Sequence, residues 1–106
     1  MNHNKTTRKE RERLQNLIML ITHESRDGEW TVSTDELRKD YNKGLPKAEK
    51  IIDLIRVKTL VRDIQKPLEK KGVIRYSYEF VPGHGYRHCF DVIPFDEWRE
   101  TFKNNS

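Results

Sequence analysis

The apolar residues of this 106-residue chain change period at Gly72, and that change constrains the fold more than any other feature of the sequence. Before the glycine, Val57, Val61, Ile64 and Leu68 recur at helical spacing. At ~100° per residue they fall within roughly 60° of one another. After it, Ile74, Tyr76, Tyr78 and Phe80 alternate with Arg75, Ser77 and Glu79. Beyond Pro82-Gly83-His84-Gly85, a second alternation sets Tyr86, His88, Phe90 and Val92 against Arg87, Cys89 and Asp91. The pattern predicts a helix from about Val57 to Lys71, then a two-stranded hairpin around a tight turn. Pro67 removes one helical hydrogen bond and crowds the carbonyl of Asp63. The helix therefore either kinks one turn before its end, or stops near Lys66 with residues 67–71 as a separate turn.

Upstream, Thr7-x-x-Glu10 reads as a capping box that opens a helix burying Leu14, Leu17, Ile18 and Ile21. Asp27-Gly28 is a turn, and Trp30-Thr31-Val32 a short strand candidate. Ser33-x-x-Glu36 is a second capping box, starting a helix from Thr34 to about Tyr41 with Leu37 and Tyr41 inward. Asn42-Lys43-Gly44 closes it, and Pro46 suits the first turn of another helix.

Ala48, Ile51, Ile52 and Ile55 pose a conflict of phase. On one helix continued through Leu68 they lie nearly opposite the Val57 stripe, so a single small core cannot cover both sets. We expect a separate short helix at 46–55, with a break near Arg56. The uncovered stripe, and Trp98 with Phe102 on a short last helix, are surplus apolar surfaces that predict a homodimer. The expected order is α-β-α-α-α-β-β-α.

A basic amphipathic helix followed at once by a hairpin resembles the recognition helix and wing of a winged helix-turn-helix domain. Leu68-Glu69-Lys70-Lys71-Gly72-Val73-Ile74 is similar to the leucine, charged residues, glycine and apolar pair that close the helix and open the wing in that superfamily. The resemblance covers roughly residues 8 to 93. It implies an α+β fold, a helical bundle with a C-terminal two-stranded β-hairpin wing and a short terminal helix, that binds double-stranded DNA. Residues 47–56 (KAEKIIDLIR) depart from the pattern as an insertion. The division that follows is a basic arm at 1–7, one domain at 8–102 and a frayed tail at 103–106.

Charge agrees with a polyanionic partner in its distribution more than in its total of +4. Residues 56–75 hold seven bases against two acids, a balance of +5, whereas residues 24–40 hold six acids against three bases, a balance of −3. With 34% hydrophobic and 36% charged residues the chain has one thin core, and no apolar run approaches a membrane span of ~18 residues. The start MNHNKTTRKERER lacks the apolar stretch of a signal peptide, and Cys89 alone cannot make an internal disulfide. Both point to the cytoplasm and to no membrane partner.

The DNA-binding candidates follow from the helical wheel and the hairpin. Lys58, Arg62, Gln65 and Lys66 lie opposite the apolar stripe, with Thr59 and Lys70 at its edges. Arg62 can bridge guanine O6 and N7, and Gln65 can pair with adenine N6 and N7. Lys58 and Thr59 near the helix start suit phosphates or a thymine methyl. Arg75 on the first strand, and His84 and Arg87 about the turn, complete the set as wing contacts. Lys5, Arg8, Lys9, Arg11 and Arg13 add an arm that can reach phosphates, diluted by Glu10 and Glu12. Helix, wing and arm together would neutralise about six phosphates, a salt slope near −5.

Other chemistries lack their residues. His84, His88 and Cys89 cannot easily share a metal ion, because neighbours 88 and 89 point to opposite strand faces. His88 reads instead as a packed wing residue. No glycine loop cradles phosphate, and nothing beside Cys89 activates a thiolate. We therefore expect no enzyme, no cofactor and no metal. The reading is a small transcriptional regulator, or an accessory DNA-binding factor of a plasmid or phage in replication, partition or conjugative transfer, with a protein partner in a nucleoprotein complex as a further candidate. The alternative is a winged-helix protein-protein interaction module without DNA binding, its interface the aromatic Tyr76, Tyr78, Phe80, Tyr86 and Phe90.

Overall fold

A computed structural model describes residues 6–72 and 74–92. Helix α1 (Arg8–Glu24) leads to strand β1 (Glu29–Val32) and helix α2 (Thr34–Asn42); a 3-10 turn (Lys47–Glu49) precedes helix α3 (Leu54–Lys70), and strands β2 (Ile74–Val81) and β3 (Gly85–Val92) follow. The fold is α+β, with three helices against one antiparallel sheet of order β1-β3-β2. The expected two-stranded hairpin forms as β2–β3, and β1 joins it as a third strand. Trp30 pairs with Phe90 and Val32 with His88, which puts β1 on the outer edge of β3. The expected last helix, with Trp98 and Phe102, lies outside the described residues.

Local chemistry explains the starts of the helices. The Thr7 hydroxyl accepts from Glu10 N at 3.1 Å while Thr7 N donates to the Glu10 carboxylate at 2.8 Å, so the first capping box is complete. The second is half made. Glu36 N donates to the Ser33 hydroxyl at 3.2 Å, but the Glu36 carboxylate takes the Ser33 hydroxyl and Arg87 instead. Asp53 caps α3 by accepting from Ile55 N at 2.9 Å.

The expected helix at 46–55 does not form, and the reason is one side chain. Asn42 at the end of α2 donates to Ile51 O at 2.7 Å and accepts from Ile51 N at 2.8 Å. Both backbone groups of Ile51 are thereby engaged, so the segment stays extended and the break falls at Asp53 rather than Arg56. The stripe divides accordingly. Ile51 enters the core, whereas Ile52 and Ile55 are 78% and 67% exposed and Leu54 is exposed with them. At the other end, α3 passes through Pro67 to Lys70, which removes the alternative of a stop at Lys66.

The core joins Leu14 and Ile18 of α1, Leu37 and Tyr41 of α2, and Ile51 to Val57, Leu60, Val61, Ile64 and Leu68 of α3. Val32, Ile74 and Phe90 complete it from the sheet. On α1 the third inward position is Thr22 rather than Ile21, and its hydroxyl donates back to Ile18 O at 2.8 Å, so burial leaves no polar group unpaired. Gly28 closes the bottom of the sheet. Its carbonyl accepts from Val92 N at 2.8 Å, its φ is +74°, and a Cβ there would stand 2.6 Å from Val92 Cγ1.

The start of α1 is locked to the body. Thr6 is buried and its hydroxyl donates to Asp63 at 2.6 Å. Arg56 meets Glu10 through two bonds, at 2.7 and 3.0 Å. Burial would raise the Glu10 pKa, but the Arg56 guanidinium and the Thr7 bonds outweigh it and hold the carboxyl below its usual range.

Candidate nucleic-acid interface

The outer face of α3 and the inner face of the hairpin meet in a shallow groove of about 260 Å³, lined by Lys58, Arg62, Gln65, Tyr76, Tyr78 and His88. The helix supplies cations and one amide, and the strands supply aromatic rings. Lys58 Nζ lies 5.9 Å from the centre of the Tyr78 ring, an attractive placement for a cation over a π face. Arg62 is 69% exposed, its nearest carboxylate being its neighbour Asp63 at 3.4 Å. Among the described residues no acid lines this groove.

His88 forms the floor. It is buried, with Nε2 2.8 Å from the Thr34 hydroxyl and Nδ1 2.8 Å from the Tyr76 hydroxyl. In the neutral ring one nitrogen donates and the other accepts, and either hydroxyl can take the complementary role. Desolvation, with Lys58 nearby, pushes the His88 pKa down to about 4. Burial likewise pushes the Tyr76 phenol up to about 12. The ring thus acts as a neutral rivet between α2, β2 and β3.

The expected contact residues do not all gather here. Lys58, Arg62 and Gln65 do, and Lys66 and Lys70 are exposed farther along α3. Thr59 does not: it is buried, and its hydroxyl donates to Ile55 O at 3.0 Å. Arg75 takes the opposite sheet face, in a depression shared with Glu29, Glu79 and Asp91, as the alternation of β2 requires. Arg87 is drawn away from the turn to Glu36 of α2, 3.0 Å away, and its Nε is buried with no hydrogen-bond partner. His84 remains exposed at the tip, in a turn closed by His84 N donating to Val81 O at 2.9 Å.

Of the basic residues of α1, Arg8 and Lys9 are exposed in surface ion pairs, and Arg11 and Arg13 are tied to backbone carbonyls. Arg8 pairs with Glu12 and Lys9 with Glu49. Arg11 donates to Thr6 O, and Arg13 to the carbonyls of Tyr41 and Lys43 at the end of α2. Lys5 lies outside the described residues, as do the other residues of the expected arm before Thr6.

Sequence reasoning placed Tyr78 and His88 each in the alternation of its own strand but did not bring them together or to the lysines of α3. The missing quantity was the register Tyr78↔His88, which a three-residue turn between Val81 and Gly85 sets. Among the described residues no group of three His, Cys, Asp or Glu is placed to hold a metal, and no helix is long and apolar enough to cross a membrane. No protein-family model matches the sequence, and no curated protein or solved structure matches the chain.

Proposed function

We propose that this chain is a winged helix-turn-helix protein that binds double-stranded DNA, with α3 as recognition helix and the β2–β3 turn as wing. The element order α1-β1-α2-α3-β2-β3 and the sheet order β1-β3-β2 support the fold reading. The observation that carries the functional reading is the groove: Lys58, Arg62 and Gln65 point out from a helix whose other face is fully engaged in the core. Arg62 and Gln65 read base edges, while Lys58, Lys66 and Lys70 meet phosphates. Thr59, Arg75 and Arg87 leave the contact set, and with Lys58, Lys66 and Lys70 on phosphates the expected count falls from about six to about three.

A binding-site selection from random duplex DNA tests this reading. One enriched site is expected; a pool that shows no retention even at low salt overturns it. A small regulator or an accessory factor of a plasmid or phage fits such a reader. A homodimer through exposed Ile52, Leu54 and Ile55 belongs to the same reading. Sedimentation should then show a species of twice 12.8 kDa that Ile52→Asp splits. A monomer in the unaltered protein removes the dimer.

The protein-interaction reading has one observation in its favour, the exposed rings of Tyr78, Phe80 and Tyr86. It predicts no duplex affinity at low salt.

A further inference from the structure

The aromatic residues of the hairpin form one ladder that begins in the core and ends in solvent. Phe90 meets Tyr76 at 5.1 Å between ring centres, Tyr78 meets His88 at 4.6 Å and Tyr86 at 5.4 Å, and Phe80 meets Tyr86 at 5.5 Å. Exposure climbs along it, from 2% at Phe90 to 42% at Tyr78, 60% at Tyr86 and 62% at Phe80. Three adjoining rings left this open form a patch of the kind that meets a partner.

Two observations identify the partner's chemistry. The inner end of the patch is bordered by cations, with Lys58 over the Tyr78 ring and Arg62 in the same groove. The rings are also held in place before anything binds: Tyr78 is packed against His88 on the floor and lies within 17° of parallel to Tyr86. Fixed π faces beside cations match a nucleobase and its phosphates, and base stacking on such faces tolerates any sequence. Bases inside a duplex have their faces covered by their neighbours. Away from the ends of a duplex, only an unpaired base can use the platform.

We infer that the hairpin tip, Tyr78, Phe80 and Tyr86, is a stacking platform for an unpaired base beside the duplex held by α3, so that the protein prefers a duplex with a single-stranded tail or junction to a blunt one. The inference rests on the duplex-binding reading of α3. Its geometry asks little of the fold, because Phe80 and Tyr86 lie beyond the buried part of the ladder.

The test compares a blunt duplex with the same duplex carrying a short tail, 2-aminopurine standing at the first unpaired position. The full chain should bind the tailed duplex roughly tenfold more tightly and quench the 2-aminopurine. The Phe80→Leu, Tyr86→Leu double variant keeps apolar bulk but loses both π faces. It should bind the blunt duplex like the unaltered protein and show no preference for the tail, while Tyr86→Phe keeps the preference. An unchanged melting temperature certifies that the variants fold. Equal affinity of the unaltered protein for both duplexes overturns the inference alone. A leucine variant that retains the preference also overturns it, because the tail is then held without the π faces. If the blunt duplex is not bound at low salt, the reading of α3 falls. Ring-dependent binding of the tail would in that case still uphold the platform, and binding of neither removes both.

Discussion

The base and the tip of the β2–β3 hairpin share one alternation and have opposite surroundings. At the base, Ile74, His88 and Phe90 lie under the helices and are almost wholly buried. At the tip, Tyr78, Phe80 and Tyr86 continue the same face and stay exposed, with Lys58 reaching over the Tyr78 ring. Period-2 patterning says which residues share a face; it does not say how far the covering layer reaches. That limit is set by where α3 crosses the strands, and the groove of Lys58, Arg62 and Gln65 marks it. The base is therefore fold, and the tip is available for binding.

The largest contrast should appear in stability. Phe90→Ala removes a buried ring against Trp30 and Tyr76 and should cost about 3–5 kcal/mol in urea unfolding. Phe80→Ala, one register pair from the turn, should change stability by less than about 0.5 kcal/mol. Similar losses at both positions would break the distinction between base and tip.

His88, at the boundary, gives the next effect and a pH signature. Its folded pKa of about 4 lies below the ordinary 6.5, so the unfolded chain takes up the proton first. Stability from the neutral ring is fully present above about pH 6.5 and falls as pH drops toward 4, by about 3 kcal/mol in all. Urea unfolding at pH 7 and pH 4.5 measures it. In His88→Gln that part of the pH dependence should vanish, although Thr34 and Tyr76 lose their shared partner. A loss on acidification that is the same in both proteins would assign it to other groups.

The groove side of the boundary should report on binding rather than folding. Arg62→Ala should cost about 1–3 kcal/mol of affinity and relax the preference at one base pair, whereas Lys70→Ala should weaken all sequences alike. Equal losses on every sequence for both would return Arg62 to the phosphate contacts. The smallest expected effect is that of His84→Ala, which should leave the melting temperature within a degree or two.

Much of this was legible in the chain, and the failures are local. The stripe Val57, Val61, Ile64 and Leu68 is buried as the spacing required, and the Thr7–Glu10 box closes as written. Residues 46–55 misled because helical periodicity was counted without its competitor. Asn42 lies outside the stripe, yet its amide captures both backbone groups of Ile51. Pairing of β1 with β3 joins residues far apart in sequence, Trp30 with Phe90 and Val32 with His88, a contact that no local pattern carries. Among the candidate contacts, the outward placement of Lys58, Arg62 and Gln65 followed from the wheel. Arg87 did not, because Glu36 reaches it only in the folded sheet.

The central claim is that the basic face of α3 binds duplex DNA through its phosphates, and a salt titration of that binding tests it most directly. If Lys58, Lys66 and Lys70 neutralise about three phosphates per protomer, the log–log slope of affinity against salt should be about −2.7. A slope shallower than about −2, or no duplex binding at low salt, would contradict it.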